Sequence, residues 1–178
     1  MTSNTFTSAL EPKRALFELS ILNAECSDRE FEDVLLESLK RNIPPEIVTR
    51  LKDLWAQTKL IAGEVIAIGK IIVGKIVDFL LSNTHVMIGI ALGAVLSSLI
   101  LSIPILGFLL KPLAGTVSAI STMYWAGVGA SMQVGDNSLS PMSATIELAK
   151  KFFEMFSSII NGVTEYWNSG LENNNVGQ

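Results

Sequence analysis

FLLSNTHVMIGIALGAVLSSLILSIPILGFLLKPLAGTVSAISTMYWAGVGASMQVG, residues 79–135, carries one formal charge, Lys111, and one other group that titrates near neutral pH, His85. A transmembrane helix takes about 20 apolar residues, and a charge-free run of about 18 is already a candidate. There is room here for two passes, 86–103 and 113–132, divided by a segment bounded by Pro104 and Pro112. The expected fold class is all-α, an integral membrane protein whose hydrophobic helical hairpin is flanked by long amphipathic helices.

Within the first pass Gly89, Gly93 and Ser97 recur every four residues and so share one helix face. Burying apolar surface drives little association inside a bilayer, and such small faces drive helix contact there instead. The expected partner is the other half of the hairpin or a second subunit. In the second pass Ser118, Thr122, Ala126 and Ala130 form a similar, partly polar row. It suits packing on the first pass better than lining an aqueous path. The connection 104–112 is too apolar for an exposed loop and too broken by Pro and Gly for a regular helix. It reads as a turn plus a short interfacial helix, with Lys111 reaching for headgroups. His85 and Trp125 also belong at interfacial positions, His85 in a structural role. Lys70 and Lys75 before the hairpin and Lys150 and Lys151 after it outweigh Lys111, so both termini are expected in the cytoplasm.

Outward from the hairpin the chain divides into a soluble helical segment (1–44), a long amphipathic helix (45–82), the hairpin (83–135), a C-terminal amphipathic helix (136–167) and a disordered tail (168–178). Residues 1–11 read as a frayed end, and 13–25 as a short helix with Ala15, Leu16, Leu19 and Leu22 on one side. Ser27 and Glu30 match a capping box for a helix ending near Arg41, before Pro44 and Pro45. From Pro45 nothing forbids a helix of about 55 Å. On it Asp53, Lys59, Glu64, Lys70, Lys75 and Asp78 oppose Ile61, Val65, Ile68, Ile72 and Ile76. Gly63, Gly69 and Gly74 each cost that helix up to ~1 kcal/mol, which implies close packing or a bend. Trp55, near its start, is a candidate interfacial residue. After a turn at 135–138, Ser140 and Pro141 open the last helix. Its apolar face, which includes Phe152, Phe156 and Trp167, either lies in the membrane interface or packs on the 45–82 helix. The second use is favoured, since no polybasic face is present.

The chain has 178 residues, 49% hydrophobic and 17% charged, with a net charge of −4, and its mean hydropathy is +0.44. The acidic balance argues against nucleic acid as a partner. Cys26 is alone, so neither an intrachain disulfide nor a cysteine metal cluster can form. The N-terminus shows no secretory signal pattern. No HExxH, P-loop, GxGxxG or CxxC occurs, and carboxylate pairs such as Glu32 and Asp33 sit on charged helical faces. The expectation is a non-enzyme without cofactor, catalytic residues or metal.

The order amphipathic helix, two apolar passes, amphipathic helix resembles the thylakoid-curvature proteins, and SIPILGFLLKPLAG resembles the connector of their hairpin. MYWAGVGASM lacks that family's aromatic and basic ending. SNTHVMIGIALGAVL is similar to the glycine-zipper anchor of small bacterial inner-membrane proteins. Each resemblance covers fewer than 40 residues, and neither assigns a family.

Three functions follow. The chain self-associates in the lipid bilayer as a homo-oligomer, forming a pore-like or permeabilising assembly. Alternatively it is a membrane-anchored or membrane-shaping scaffold whose N-terminal helices meet a cytoplasmic protein. In the third, it is a soluble helical bundle that hides the hairpin and inserts on a trigger, as colicin-like pore-forming domains do, although their roughly eight helices fit this chain poorly.

Overall fold

The computed structural model describes residues 9–124 and 141–167. Trp125, Ala126, Ala130 and the remainder of the second pass after Tyr124, the 135–138 turn, most of the frayed end and the tail lie outside them. The described chain is mostly helical, and α4 (Ile68–Ser82) is its axis. Helices α1 (Pro12–Cys26), α2 (Phe31–Lys40), α3 (Pro45–Trp55) and α5 (Ile88–Ser102) pack around it. A 3-10 turn (Pro104–Leu106), α6 (Gly107–Tyr124), α7 (Pro141–Phe152) and α8 (Glu154–Gly162) follow.

The first two helices form where expected, but not through the expected cap. Ser27 does not cap α2. Its hydroxyl donates back to the Ala24 carbonyl at 2.8 Å and closes α1, while Glu30, with an extended backbone, precedes α2. The acids of the first turn of α2, Glu32 and Asp33, and Lys40 in its last turn suit the helix dipole. Asn42 turns the chain with φ 56°, and Pro45 starts α3.

The continuous 45–82 helix does not form. After α3 the chain makes a two-stranded antiparallel hairpin, β1 (Lys59–Ile61) and β2 (Glu64–Ile66), and only then α4. Ala62 and Gly63 both have positive φ, 51° and 83°, as a two-residue hairpin turn requires. Ile61 and Ile66 point into the core, whereas Val65, on the apolar stripe of the helical reading, is 64% exposed. The hairpin is closed at its base by Gly69, whose N–H donates to the Gln57 carbonyl at 3.0 Å. There α4 starts against the C-terminal end of α3.

Two side chains of α1 tie this hairpin down, Asn23 through two bonds and Ser20 through one. The Asn23 amide donates to the Val65 carbonyl (3.2 Å) and accepts from the Ala67 N–H (2.8 Å). Ser20 adds a bond to Glu64 (2.9 Å). Asn23→Ala removes both backbone partners and leaves a part-buried N–H unpaired, so we expect a loss of about 1–3 kcal/mol in urea denaturation. An unchanged midpoint would mean that the hairpin is held without Asn23, chiefly by the burial of Ile61 and Ile66.

The first expected pass corresponds to α5. It ends at Ile103, whose extended backbone (φ −133°, ψ 79°) is the conformation a following proline imposes. The expected turn and short interfacial helix at 104–112 are replaced by the 3-10 turn and the start of α6, which runs on through Pro112. Proline is tolerated because the carbonyl it leaves without a donor belongs to Phe108, at the exposed start of the helix. The expected continuous 141–167 helix is broken at Phe153 and Val163. Phe153 is wedged under α4, its ring 6.1 Å from that of Phe79. The C-terminal helices therefore pack on α5 and α1 as well as on α4: α7 lies along α5, and α8 along α1, with the Leu10 N–H donating to the Ser158 carbonyl.

Candidate functional site

The unit with the most unusual composition is α5 and α6. Among the described residues no single helix is long and apolar enough to cross a membrane. Residues 88–102 and 104–119 together have the length and composition of a span, but they are folded on each other at 118°. At 1.5 Å per residue α5 alone reaches about 22 Å, short of a hydrocarbon core of about 30 Å.

The pair is partly sheathed. Ala91, Leu92, Ala94, Val95, Leu96 and Leu99 of α5 are buried, as are Leu106, Leu110, Leu113 and Val117 beyond the corner. Ser98 is buried among them, and its hydroxyl finds no partner. Gly89, Gly93 and Ser97 do fall on one side of α5, and that side is only half-covered. Ser118 is exposed on α6, and Thr122 lies in the last turns of the same helix.

Three arginines, Arg29 and Arg41 flanking α2 and Arg50 on α3, hold this unit and α4. Arg29 pairs with Asp78 on α4 at 3.3 Å, both side chains being more than a third exposed. Arg41 donates to the Thr84 and Val86 carbonyls (3.2 and 3.3 Å) in the turn between α4 and α5, although its Nε is buried without a partner. Arg50 donates through Nε to the Thr116 hydroxyl on α6 (3.2 Å), which in turn donates to the Pro112 carbonyl (3.0 Å). From the other end Asn161 of α8 donates to the Ser102 carbonyl at 2.9 Å, capping α5. The planar guanidinium, with several donors in a fixed fork, suits such carbonyl and hydroxyl targets. None of these ties was read from the sequence. One signal was available: all four arginines of the chain lie between Arg14 and Arg50.

The other predicted residues are scattered. His85 and Lys111 are exposed. Trp55 is half-buried, edge-on to Phe31 (5.7 Å) with Lys70 Nζ 5.6 Å above its ring. Of the apolar face of the C-terminal helix, Phe152 is partly exposed beside Phe79, whereas Phe156 and Trp167, candidates for an interfacial position or for packing, are buried in the core. Lys59 Nζ stands 5.1 Å from the Trp167 ring centroid, and burial lowers the pKa of this lysine. Cys26 lines a small cavity with Arg29, Lys75 and Asp78; burial raises its thiol pKa, against the opposing pull of Arg29 and Lys75. Among the described residues no group of three His, Cys, Asp or Glu is placed to hold a metal ion.

Among the described residues these contacts include no nucleophile–base pair; they show two apolar helices bent at 118° and tied to the N-terminal helices by polar bonds. Compared with protein-family models, curated proteins and solved structures, the chain matches none.

Proposed function

We propose that this is a non-enzymatic, membrane-active protein in which the α5–α6 pair is kept folded beneath charged helices and is released into a bilayer to form a permeabilising assembly. The observation that carries the reading is the pair itself, with the length and composition of a span but a bend of 118°. The polar ties from Arg41 and Arg50 support it, because they join the charged N-terminal helices to the turn before α5 and to α6 through exposed or part-buried bonds. Such bonds exchange readily with water. In the inserted state the Gly89, Gly93 and Ser97 face packs against a second copy. The lysine distribution then keeps both flanks on the cytoplasmic side.

The test is release of a trapped dye from liposomes by the purified full chain. We expect leakage, and faster leakage for Arg41→Ala. Losing bonds from a charged donor frees the 83–87 turn by about 1–2 kcal/mol, or about five- to thirtyfold in rate. Liposomes that stay tight at high protein density would reject the reading.

A second reading, a scaffold presenting its N-terminal helices to a cytoplasmic protein, draws on one observation. Leu36 and Leu39 are exposed on α2 at helical spacing. Stable membrane retention as a monomer or dimer, without leakage, would favour it.

A further inference from the structure

The two edges of the β1–β2 hairpin differ. Ala62 and Gly63 make a two-residue turn, so Ile61 and Glu64 exchange both ladder bonds and the next pair, Leu60 and Val65, exchanges none. The backbone groups of residues 60 and 65 therefore point outward, from opposite sides of the hairpin. On the β2 side the Asn23 amide closes the edge, bonding the Val65 carbonyl and the Ala67 N–H. On the β1 side the Leu60 N–H and carbonyl meet no partner among the described residues. The same two residues also carry exposed apolar side chains. Leu60 is 39% exposed and Val65 64%, directly opposite each other on the face turned away from Ile61 and Ile66. A free strand edge is recognised by extended backbone, whose own N–H and C=O groups continue the ladder.

From this open edge beside an exposed apolar pair we infer that β1 pairs antiparallel with β1 of a second copy, about a two-fold axis at Leu60, making a four-stranded sheet in a dimer of the folded chain. At that axis residue 60 of each copy exchanges both bonds with residue 60 of the other, so all the open groups are satisfied together. The register sets Val65, Leu60, Leu60 and Val65 in one row across the four strands, and such cross-strand neighbours stabilise a sheet. Charge favours this occupant. Lys59 and Glu64 are the only charged residues of the hairpin, and both lie on its other face. Antiparallel pairing sets Lys59 opposite Ile61 of the second copy, with Glu64 of that copy one strand further, so each row holds one cation and one anion. Pairing in the parallel sense would instead bring Lys59 beside Lys59. The dimer uses no residue of the 88–119 pair and is independent of the permeabilising reading.

The experiment is sedimentation velocity of the purified full chain over a range of concentrations, with amide hydrogen exchange read residue by residue. The expected result is a monomer–dimer equilibrium in which exchange of the Leu60 N–H slows by about fivefold or more as the dimer forms. The Val65 N–H, which points to the α1 side, keeps its rate. Leu60→Pro removes only the outward donor, which an edge strand tolerates, and raises the dissociation constant by about tenfold or more. Leu60→Val keeps the donor and an apolar side chain, and stays within about twofold of the original. Phe108→Ser, at the most exposed aromatic side chain among the described residues, leaves the dimer unchanged. A chain that is monomeric at every concentration overturns the inference, as does a dimer in which Leu60 exchange is not slowed. A dimer that survives Leu60→Pro and is lost in Phe108→Ser places the contact at the α5–α6 corner and overturns it too. The exchange measurement needs no substitution, so it decides the matter even where Leu60→Pro fails to fold.

Discussion

Gly69→Ala is expected to cost about 4 kcal/mol or more, enough to unfold a domain of ordinary stability. The added methyl would fall on the Leu54 carbonyl oxygen, with the Leu54 carbonyl carbon at 2.8 Å and the Gln57 nitrogen at 3.1 Å. All three are backbone atoms at the end of α3, so no side chain can turn aside to make room. Moving them would also strain the Gly69–Gln57 hydrogen bond that closes the base of the hairpin. Gly74→Ala is the matched control. The only atoms its methyl approaches belong to the Arg29 guanidinium, the nearest at 2.5 Å, and that end of a flexible side chain can shift. Denaturant titration of the two variants separates a backbone clash from a general preference for glycine. Equal, small losses would show that α3 and α4 approach less closely than described here.

Phe79→Ala is expected to lower stability by about 3–5 kcal/mol, the range for emptying a buried aromatic site. Phe79 is fully buried, and its ring meets Phe152 edge-on at 5.4 Å and Phe153 at 6.1 Å. Those contacts join α4 to the break between α7 and α8. The variant should therefore loosen the C-terminal helices before the N-terminal ones, visible as faster amide hydrogen exchange in 145–160 than in 12–26. Phe79→Leu, which keeps most of the volume, should recover the greater part of the loss. Uniform exchange along the chain would refute this route.

How far the sequence revealed this structure depended on whether the information was local. Pro12, Pro44, Pro45 and Pro104 fix helix ends through their own backbone restrictions, and the boundaries near them agree with the fold. The 59–66 hairpin escaped because Ile61, Val65, Ile68, Ile72 and Ile76 satisfy a helical stripe. Ala-Gly is also a weaker turn signal than Asn-Gly or Asp-Gly. The three glycines did carry the right warning: Gly63 turns the chain, Gly69 lets two backbones meet, and Gly74 faces Arg29. Pro112 misled in the opposite direction, since the corner leaves the Phe108 carbonyl accessible and a proline six residues into a helix becomes tolerable. The arginine ties join residues 43 to 66 apart in sequence, and nothing in local periodicity announces them.

The docking of the chain's beginning against its end bears on how it is made. Helix α5 is complete at Ser102, but the Asn161 that caps it belongs to α8, and α1 also waits for α8. A ribosome adding about 5–20 residues per second needs several seconds to synthesise the intervening stretch. During that interval the most apolar of the described helices has emerged or is emerging without its cover. Each nascent chain thus passes through a window in which self-closure competes with capture by a chaperone, by a neighbouring nascent chain or by a membrane, and the length of that window is set by translation speed.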